Sequence, residues 1–313
     1  MGNMKIWAYA TKDKEYVLDE RFENKRPRLF FIWEALRMKR ETTFEYNKLI
    51  FMSTHRNIES RQRMAPVIKG FFRYVENMKG NDNGGGGESL THEFAILALF
   101  LMNSITVKNG DELHTYKFTE LKIEDYKVQF ENGNIYYPDL IGFLDPSDSM
   151  YEKWGGKVAI EVHVKHKCEP EKVRDFEDHG IPIIEITIYE SIWLEKRIKG
   201  SEYSDQQLEN YFGYIQEIFK QYVYGKVISN PLSPSFQKKL FKAFSQKFDS
   251  QNDTILEKET EISNIKEKIM QLNHQLKIAN EKLSEKQKQV TRIEGELSAI
   301  KNRNFWQRLG TLF

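Results

Sequence analysis

Residues 135–145 read IYYPDLIGFLD and residues 157–166 read KVAIEVHVKH, and these two stretches decide the fold. Each is an apolar, strand-like run that carries one internal carboxylate, Asp139 in the first and Glu161 in the second. A carboxylate in a buried strand is costly unless a metal ion or another charge pairs with it. Two such acids on adjacent strands can share one hard cation, so we expect Asp139 and Glu161 to bind Mg²⁺ or Mn²⁺.

The period of a strand adds basic groups to this predicted site. Side chains two residues apart share one face of a strand, which places Glu161, His163 and Lys165 together. An acid followed by basic groups suits a metal site with a residue that activates water. We therefore predict Asp139, Glu161, His163 and Lys165 as catalytic residues.

The segments around the two strands predict an α/β order of elements. Residues 88–105 have the pattern of an apolar helix, and residues 169–180 that of a short helix with Pro170 in its first turn and Gly180 at its end. Residues 181–189 are almost continuously apolar, which is typical of a strand buried on both faces. The predicted order is helix, three strands, helix, strand, and the last strand should be parallel to a neighbour because it follows a helical crossover. The strand-like runs between the two helices are YKFTELKI, YKVQFE, IYYPDLIGFLD and KVAIEVHVKH.

These residues resemble the PD-(D/E)xK nuclease superfamily, in which an acid on one strand precedes an acid-x-lysine pattern on the next within an αβββαβ core. The runs KGFFRY, GESLTHEFAILAL, YPDLIGFL, AIEVHVKH and HGIPIIEI look like the CoiA-like competence-protein family and cover about residues 1–190. The resemblance implies a restriction-endonuclease-like core at 84–190, with Asp139 and Glu161 as metal ligands. It also implies Glu88 as a further ligand, since members often add a glutamate from the first helix.

Two features depart from that resemblance. His163 stands where the family pattern has lysine, with Lys165 two residues further on. The N-terminal module of the family often holds cysteine pairs suited to zinc, whereas this chain has only Cys168, so we expect a zinc-free α+β module at 1–80. We interpret His92 as a structural hydrogen-bonding residue and Glu185 as either a neighbour of the site or part of a buried ion pair.

Basic residues predict where DNA would bind. Between Arg21 and Arg73 the chain has 13 Lys and Arg against 5 Asp and Glu, although its net charge is only +1. Such an excess could neutralise phosphates, and a solvated helix surface is the alternative. The predicted nucleic-acid contacts are Arg61, Arg63, Lys69, Arg73, His166 and Lys167. NDNGGGG, residues 81–87, is interpreted as a flexible linker.

The C-terminal third predicts an assembly element. Residues 191–250 are aromatic-rich and are predicted to form a helical extension that packs on the core. Residues 254–303 carry a seven-residue a/d repeat, typical of a left-handed coiled coil about 70 Å long, with a homodimer as the default assembly. The a positions are Ile255, Ile262, Ile269, Leu276, Leu283, Val290 and Leu297. The amphipathic tail at 304–313 could bind a partner protein, and it is too short to span a bilayer.

Composition indicates where in the cell the protein is expected. A single cysteine favours a reducing, cytoplasmic environment, and the first residues carry charges where a secretory signal needs an apolar stretch. We expect no stable membrane insertion, since no run of about 18 apolar residues occurs.

Two functions follow from the sequence. The first is a metal-dependent nuclease, an endo- or exodeoxyribonuclease that is dimerised by its coiled coil. It would act in bacterial DNA processing, DNA uptake or defence against foreign DNA. The alternative is an inactive nuclease fold that binds DNA or a protein and assembles a complex.

Overall fold

The computed structural model describes residues 4–20, 26–75, 89–123 and 126–309, with side chains described as far as residue 301. The chain divides into two compact units, Met1–Lys239 and Leu240–Phe313. It is a mixed α/β protein with a long C-terminal helix. Within the described ranges, no helix combines the length and the apolar character needed to cross a bilayer.

The first part of unit Met1–Lys239 is a small antiparallel sheet with two short helices. Its strands are β1 (Trp7–Lys12), β2 (Glu15–Tyr16), β3 (Phe30–Phe31), β4 (Ile50–Met52), β5 (Arg63–Val67) and β6 (Phe71–Tyr74), and its helices are α1 (Ile32–Glu41) and α2 (Thr43–Asn47). The sheet order is β2-β1-β4-β5-β6, with β3 also paired to β1. Asp13 and Lys14, both with positive φ, turn the chain between β1 and β2 and form an antiparallel hairpin.

The second part of the same unit is a closed barrel with helices. Its elements are α3 (Leu90–Phe100), β7 (Ser104–Asn109), β8 (Glu112–Ile123), β9 (Val128–Gln129), β10 (Ile135–Tyr136), β11 (Leu140–Leu144), α4 (Tyr151–Trp154), β12 (Lys157–His163), α5 (Pro170–Asp178), β13 (Ile183–Thr187), α6 (Leu194–Arg197), α7 (Asp205–Gln221) and β14 (Val223–Ser229). The barrel closes in the order β11-β12-β13-β14-β7-β8. The predicted parallel strand is confirmed, since β12 pairs with β13 in parallel across the crossover helix α5.

Local chemistry sets the helix ends near the site. Ser89 caps α3, and its hydroxyl accepts the backbone N–H of His92 at 3.3 Å. Pro170 occupies the first turn of α5, and Gly180 follows the helix with φ of +72°. Both predicted ends of α5 are therefore confirmed.

Two apolar clusters hold the second part together, one on each face of β12. Val162 joins the large cluster, which also contains residues of α3, α7 and the N-terminal sheet, such as Trp7. Ala159 joins a smaller cluster beneath α5, around Phe176. Residues of the N-terminal sheet and of the barrel thus share one continuous core.

Several sequence predictions need correction. The first helix ends at Phe100 rather than near 105, because residues 104–109 turn back as β7 to form a hairpin with β8. YKVQFE provides only β9, which pairs with β10 in a separate two-stranded sheet. The segment 191–250 is not wholly helical: α7 ends at Gln221, and residues 223–229 form the barrel strand β14.

The unit Leu240–Phe313 is helical. The long helix α8 (Pro234–Leu309) contains the whole predicted coiled-coil segment. The apolar a residues, from Ile255 to Leu297, are about half exposed, as expected of a seam without its partner strand. Of the predicted tail, residues 310–313 lie outside the described residues, and the preceding residues continue the helix.

Candidate active site

Strand register brings the predicted acids to one face of the barrel. Leu140 on β11 pairs with Ile160 on β12, so the next position in the same register places Asp139 opposite Glu161. Glu161 pairs in turn with Glu185 on β13. Paired residues of neighbouring strands point to the same face, so the three carboxylates form one row across adjacent strands. Asp139 itself precedes β11 and does not lie within a strand, which corrects the prediction.

The Asp139 carboxylate is fixed by two hydrogen bonds. Its Oδ2 accepts the backbone N–H of Val162 at 2.7 Å and lies 3.2 Å from Nε2 of His92. A carboxylate only accepts, so Nε2 of His92 carries the proton in this contact. Burial alone would raise the pKa of Asp139, but the bonds from His92 and the Val162 amide outweigh it, and the pKa lies below its usual value. Oδ1 accepts no hydrogen bond from the described residues.

The pKa of Glu161 shifts in the opposite direction to that of Asp139. Burial and the charge of Asp139 raise the pKa of Glu161 to about 7, although the positive charge of Lys172 opposes them. Nζ of Lys172 lies 2.7 Å from Oε1 of Glu161, and both side chains are only 13% exposed. The two neighbouring carboxylates thus resist ionising together, and a cation placed at them would relieve that repulsion.

Lys172 is the site residue that sequence reasoning missed. It lies in the first turn of α5, which packs beside β12 through the small cluster around Phe176. One lysine in a short charged helix gives no local signal. The α-helical crossover between two parallel strands is the feature that could have drawn attention to it, because such a helix must pass over the strand that carries Glu161.

The predicted basic residues of β12 have different positions. His163 lies on the same face as Glu161, and its buried Nδ1 has no hydrogen-bond partner among the described residues. Lys165 does not lie on the strand as predicted, because β12 ends at His163. Its ammonium lies 5.4 Å from the ring centroid of Trp193, a cation–π contact, although its side chain still lines the site.

A cavity of about 540 Å³ collects these groups. Its volume lies in the range typical of ligand-binding clefts. Exposed His166 and Lys167 contribute positive or polar side chains at its wall. The residues that line it are Ser89, His92, Tyr136, Tyr137, Asp139, Glu161, Val162, His163, Val164, Lys165, His166, Lys167, Cys168, Glu169, Lys172 and Glu185.

The four predicted nucleic-acid contacts of the N-terminal module do not line this cavity. Arg61 stacks against Tyr9 and Tyr16 at 4.6 and 4.7 Å from their ring centroids, and its Nε donates to the carbonyl of His55 at 2.7 Å. That geometry gives Arg61 a structural role in the small sheet. Arg63 and Lys69 are exposed, and Arg73 is partly buried on β6.

The donor set fits a weakly held hard cation. In the parts of the chain that the structure describes, no group of three or more His, Cys, Asp or Glu side chains is arranged to hold a metal ion. Mg²⁺ usually takes one or two carboxylates plus waters and substrate phosphates, and Asp139 with Glu161 supplies that number. Glu185 lines the same cavity, and one of its oxygens, Oε2, accepts the backbone N–H of Cys168 at 3.0 Å. The predicted ligand Glu88 lies outside the described residues.

Cys168 also lines the cavity. Burial and the charge of Glu161 raise the pKa of its thiol to about 12, so the thiol stays protonated at neutral pH.

Comparison of the chain with protein-family models, with curated proteins and with solved structures found no match to any of them. The functional assignment therefore rests on the site and on the order of elements around it.

Proposed function

We propose that the protein is a metal-dependent nuclease that hydrolyses DNA phosphodiester bonds. The observation that carries the proposal is the pair Asp139 and Glu161: they continue the register of β11 and β12 by one position, they line one cavity, and burial together with the charge of Asp139 raises the pKa of Glu161 to about 7. Ionisable groups that lie in a cavity and have a shifted pKa are typical of functional sites.

The order of elements supports a PD-(D/E)xK-type core. Helix α3 precedes β8, β11 and β12, which pair antiparallel in sequence, and α5 then leads to the parallel strand β13. This order corresponds to the αβββαβ pattern of that superfamily. Strands β7 and β14 are additions that close the barrel.

The residues of the cavity divide the chemistry among them. A magnesium ion bound at Asp139 and Glu161 would supply a Lewis acid for the scissile phosphate. His92 and the Val162 amide hold one oxygen of Asp139 and leave the other for binding. Imidazole is a common general base, and His163, which lines the cavity on the same strand face as Glu161, would take a proton from the attacking water.

Lys172 supplies the ammonium that the family pattern places two residues after the second acid. Its Nζ already lies at Glu161, so it can neutralise charge on the phosphate as the bond to the leaving oxygen breaks. A lysine from the crossover helix can thus take over that role, while His163 occupies its place on the strand.

The test is cleavage of plasmid and single-stranded DNA with Mg²⁺ or Mn²⁺. We expect Asp139→Asn and Glu161→Gln to lose cleavage by about a hundredfold or more, because each removes a charged ligand. Glu112→Gln, which removes an exposed carboxylate outside the cavity, is the matched control and should retain most activity. Full cleavage by both acid variants would refute the site.

A binding scaffold is the second candidate function, and the Lys172–Glu161 ion pair favours it. That pair neutralises one carboxylate without any metal ion. The scaffold function predicts DNA binding that survives chelation, with no cleavage under any divalent metal. The nuclease function predicts cleavage that chelation abolishes.

We also propose that α8 dimerises the protein. Its apolar a and d positions are exposed along the helix, and burying them against a second copy would remove that surface from water. The same spacing continues upstream through the exposed residues Phe241, Phe244 and Phe248, which occupy positions a, d and a. Light scattering of the full chain should give the mass of two copies, and a monomer at all concentrations would contradict it.

A further inference from the structure

Three tyrosines and one lysine form a partly exposed cluster outside the cavity. The rings of Tyr189 and Tyr224 meet edge to face at 4.9 Å between centroids, and those of Tyr222 and Tyr224 meet at 5.3 Å. Nζ of Lys108 lies 5.0 Å from the ring centroid of Tyr222 and 5.9 Å from that of Tyr224. We call Tyr189, Tyr222, Tyr224 and Lys108 the tyrosine cluster.

Strand register places the tyrosine cluster on the face that carries the acids. His163 pairs with Thr187, Thr187 with Tyr224, and Tyr224 with Lys108, in a row across β12, β13, β14 and β7. Tyr224 therefore lies two strands away from His163 on the same face. With strands about 4.8 Å apart, that separation is about 10 Å.

The cluster has no evident role in holding the fold together. Tyr189 is 51% exposed and Tyr224 is 38% exposed, so much of their ring surface faces water. The hydroxyl groups of Tyr222 and Tyr224 contact each other at 3.4 Å, and neither is anchored to the backbone of the described residues. Grouped exposed aromatic rings of this kind are typical of binding surfaces.

We propose that the tyrosine cluster binds the bases of single-stranded DNA that leads into the cavity, which rests on the proposed nuclease function. Every base has a π-face that can stack on an exposed ring, whereas the bases of a duplex are already stacked inside it. Lys108 lies over the rings and provides charge for phosphates, and exposed Lys226, two residues after Tyr224 on β14 and 4.0 Å from Oε1 of Glu185, adds a second ammonium.

The spacing suits a strand that spans both surfaces. Glu161 lies two residues before His163 on β12, so it is about 12 Å from Tyr224, which corresponds to about three to four nucleotides at the rise of a stacked strand. A phosphate at Glu161 and a base on the tyrosine cluster can therefore belong to one short single-stranded segment. The cluster would thus set the substrate class, a single strand or a frayed end rather than an intact duplex.

The test is fluorescence anisotropy of labelled oligothymidylate binding to the full chain in EDTA, where cleavage cannot occur. We expect Tyr189→Ala/Tyr224→Ala to bind about tenfold or more weakly, and Tyr189→Phe/Tyr224→Phe to bind within about twofold of the unaltered chain, because stacking needs the ring and not the hydroxyl. Phe44→Ala, which removes another exposed ring far from the cluster in sequence, is the matched control. If the double alanine variant does not fold, Tyr189→Ala carries the test, since Tyr189 lies outside any strand.

Unchanged affinity of the alanine variants would overturn the proposal, and so would tighter binding of a blunt duplex or of oligouridylate than of oligothymidylate. Binding in EDTA separates this proposal from the nuclease function. Loss of cleavage in Asp139→Asn bears on the nuclease function alone, and oligothymidylate binding by that variant still reports on the cluster.

Discussion

Replacement of Lys172 by methionine isolates the ion pair at the centre of the site. Methionine keeps most of the length and volume of lysine and removes its charge, so Glu161 is left buried beside Asp139 without a cation. The expected decrease in the free energy of unfolding depends on pH. At low pH Glu161 keeps its proton and carries no charge, so the loss of Lys172 has little effect.

The magnitude follows from the pKa of Glu161. Its folded value of about 7 lies above its usual value of 4.5, so the folded protein retains a proton that the unfolded chain has released. Ionisation of Glu161 therefore lowers stability as pH rises from about 4.5 to 7, and above 7 Lys172 compensates the charge. Without Lys172 the pKa of Glu161 rises further, so the loss of stability relative to the unaltered chain grows above pH 7 by at most about 1.4 kcal/mol per pH unit, until the pH reaches the new pKa.

The assay is urea unfolding of Lys172→Met and the unaltered chain, followed by tryptophan fluorescence between about pH 6 and pH 9. We expect a difference below about 0.5 kcal/mol at pH 6 and a steady increase above pH 7. Lys167→Met is the matched control, because Lys167 is exposed at the same cavity and should change stability by less than about 0.5 kcal/mol throughout. A destabilisation by Lys172→Met that is equal at pH 6 and pH 9, or larger at pH 6, would refute the reasoning.

Three further predictions use other features. Mn²⁺ affinity measured by calorimetry should fall about tenfold per pH unit below 7, because the metal must displace the proton of Glu161; an affinity independent of pH would argue against this ligand. Serine at Phe241, Phe244 and Phe248 together should weaken the dimer about a hundredfold or more by sedimentation, with the exposed off-seam Leu256→Ser as control; equal effects would exclude an aromatic extension of the seam. Gly225→Ala should destabilise the barrel by about 1–3 kcal/mol, since its Cβ would lie 2.5 Å from a backbone carbonyl oxygen of β13; an unchanged melting temperature would contradict that contact.

Local chemistry made part of the fold predictable from sequence. Pro170 and Gly180 mark the ends of α5, and the apolar run after them is the buried strand β13. The parallel pairing of β12 with β13 follows from the helix between them. The heptad spacing predicts the helix at 254–303, which lies inside α8.

The remaining features of the fold and the site depend on contacts between residues that are distant in sequence, so they could not be predicted from local patterns. Strand β14 directly follows α7 in one aromatic-rich segment, and only its partners β13 and β7, distant in sequence, reveal it as a strand. The role of Lys172 could not be predicted for the same reason, because this lysine reaches the site only where α5 crosses β12. The orientation of Asp139 depends on His92, which is 47 residues earlier in the chain.

The most direct measurement of the central claim is the anomalous signal of crystals soaked in Mn²⁺. We predict one peak in the cavity, within about 2.1 Å of a carboxylate oxygen of Asp139 and of one from Glu161. A peak bound by one of these residues alone, or manganese bound only at other places on the protein, would contradict the proposal that the two carboxylates share one cation.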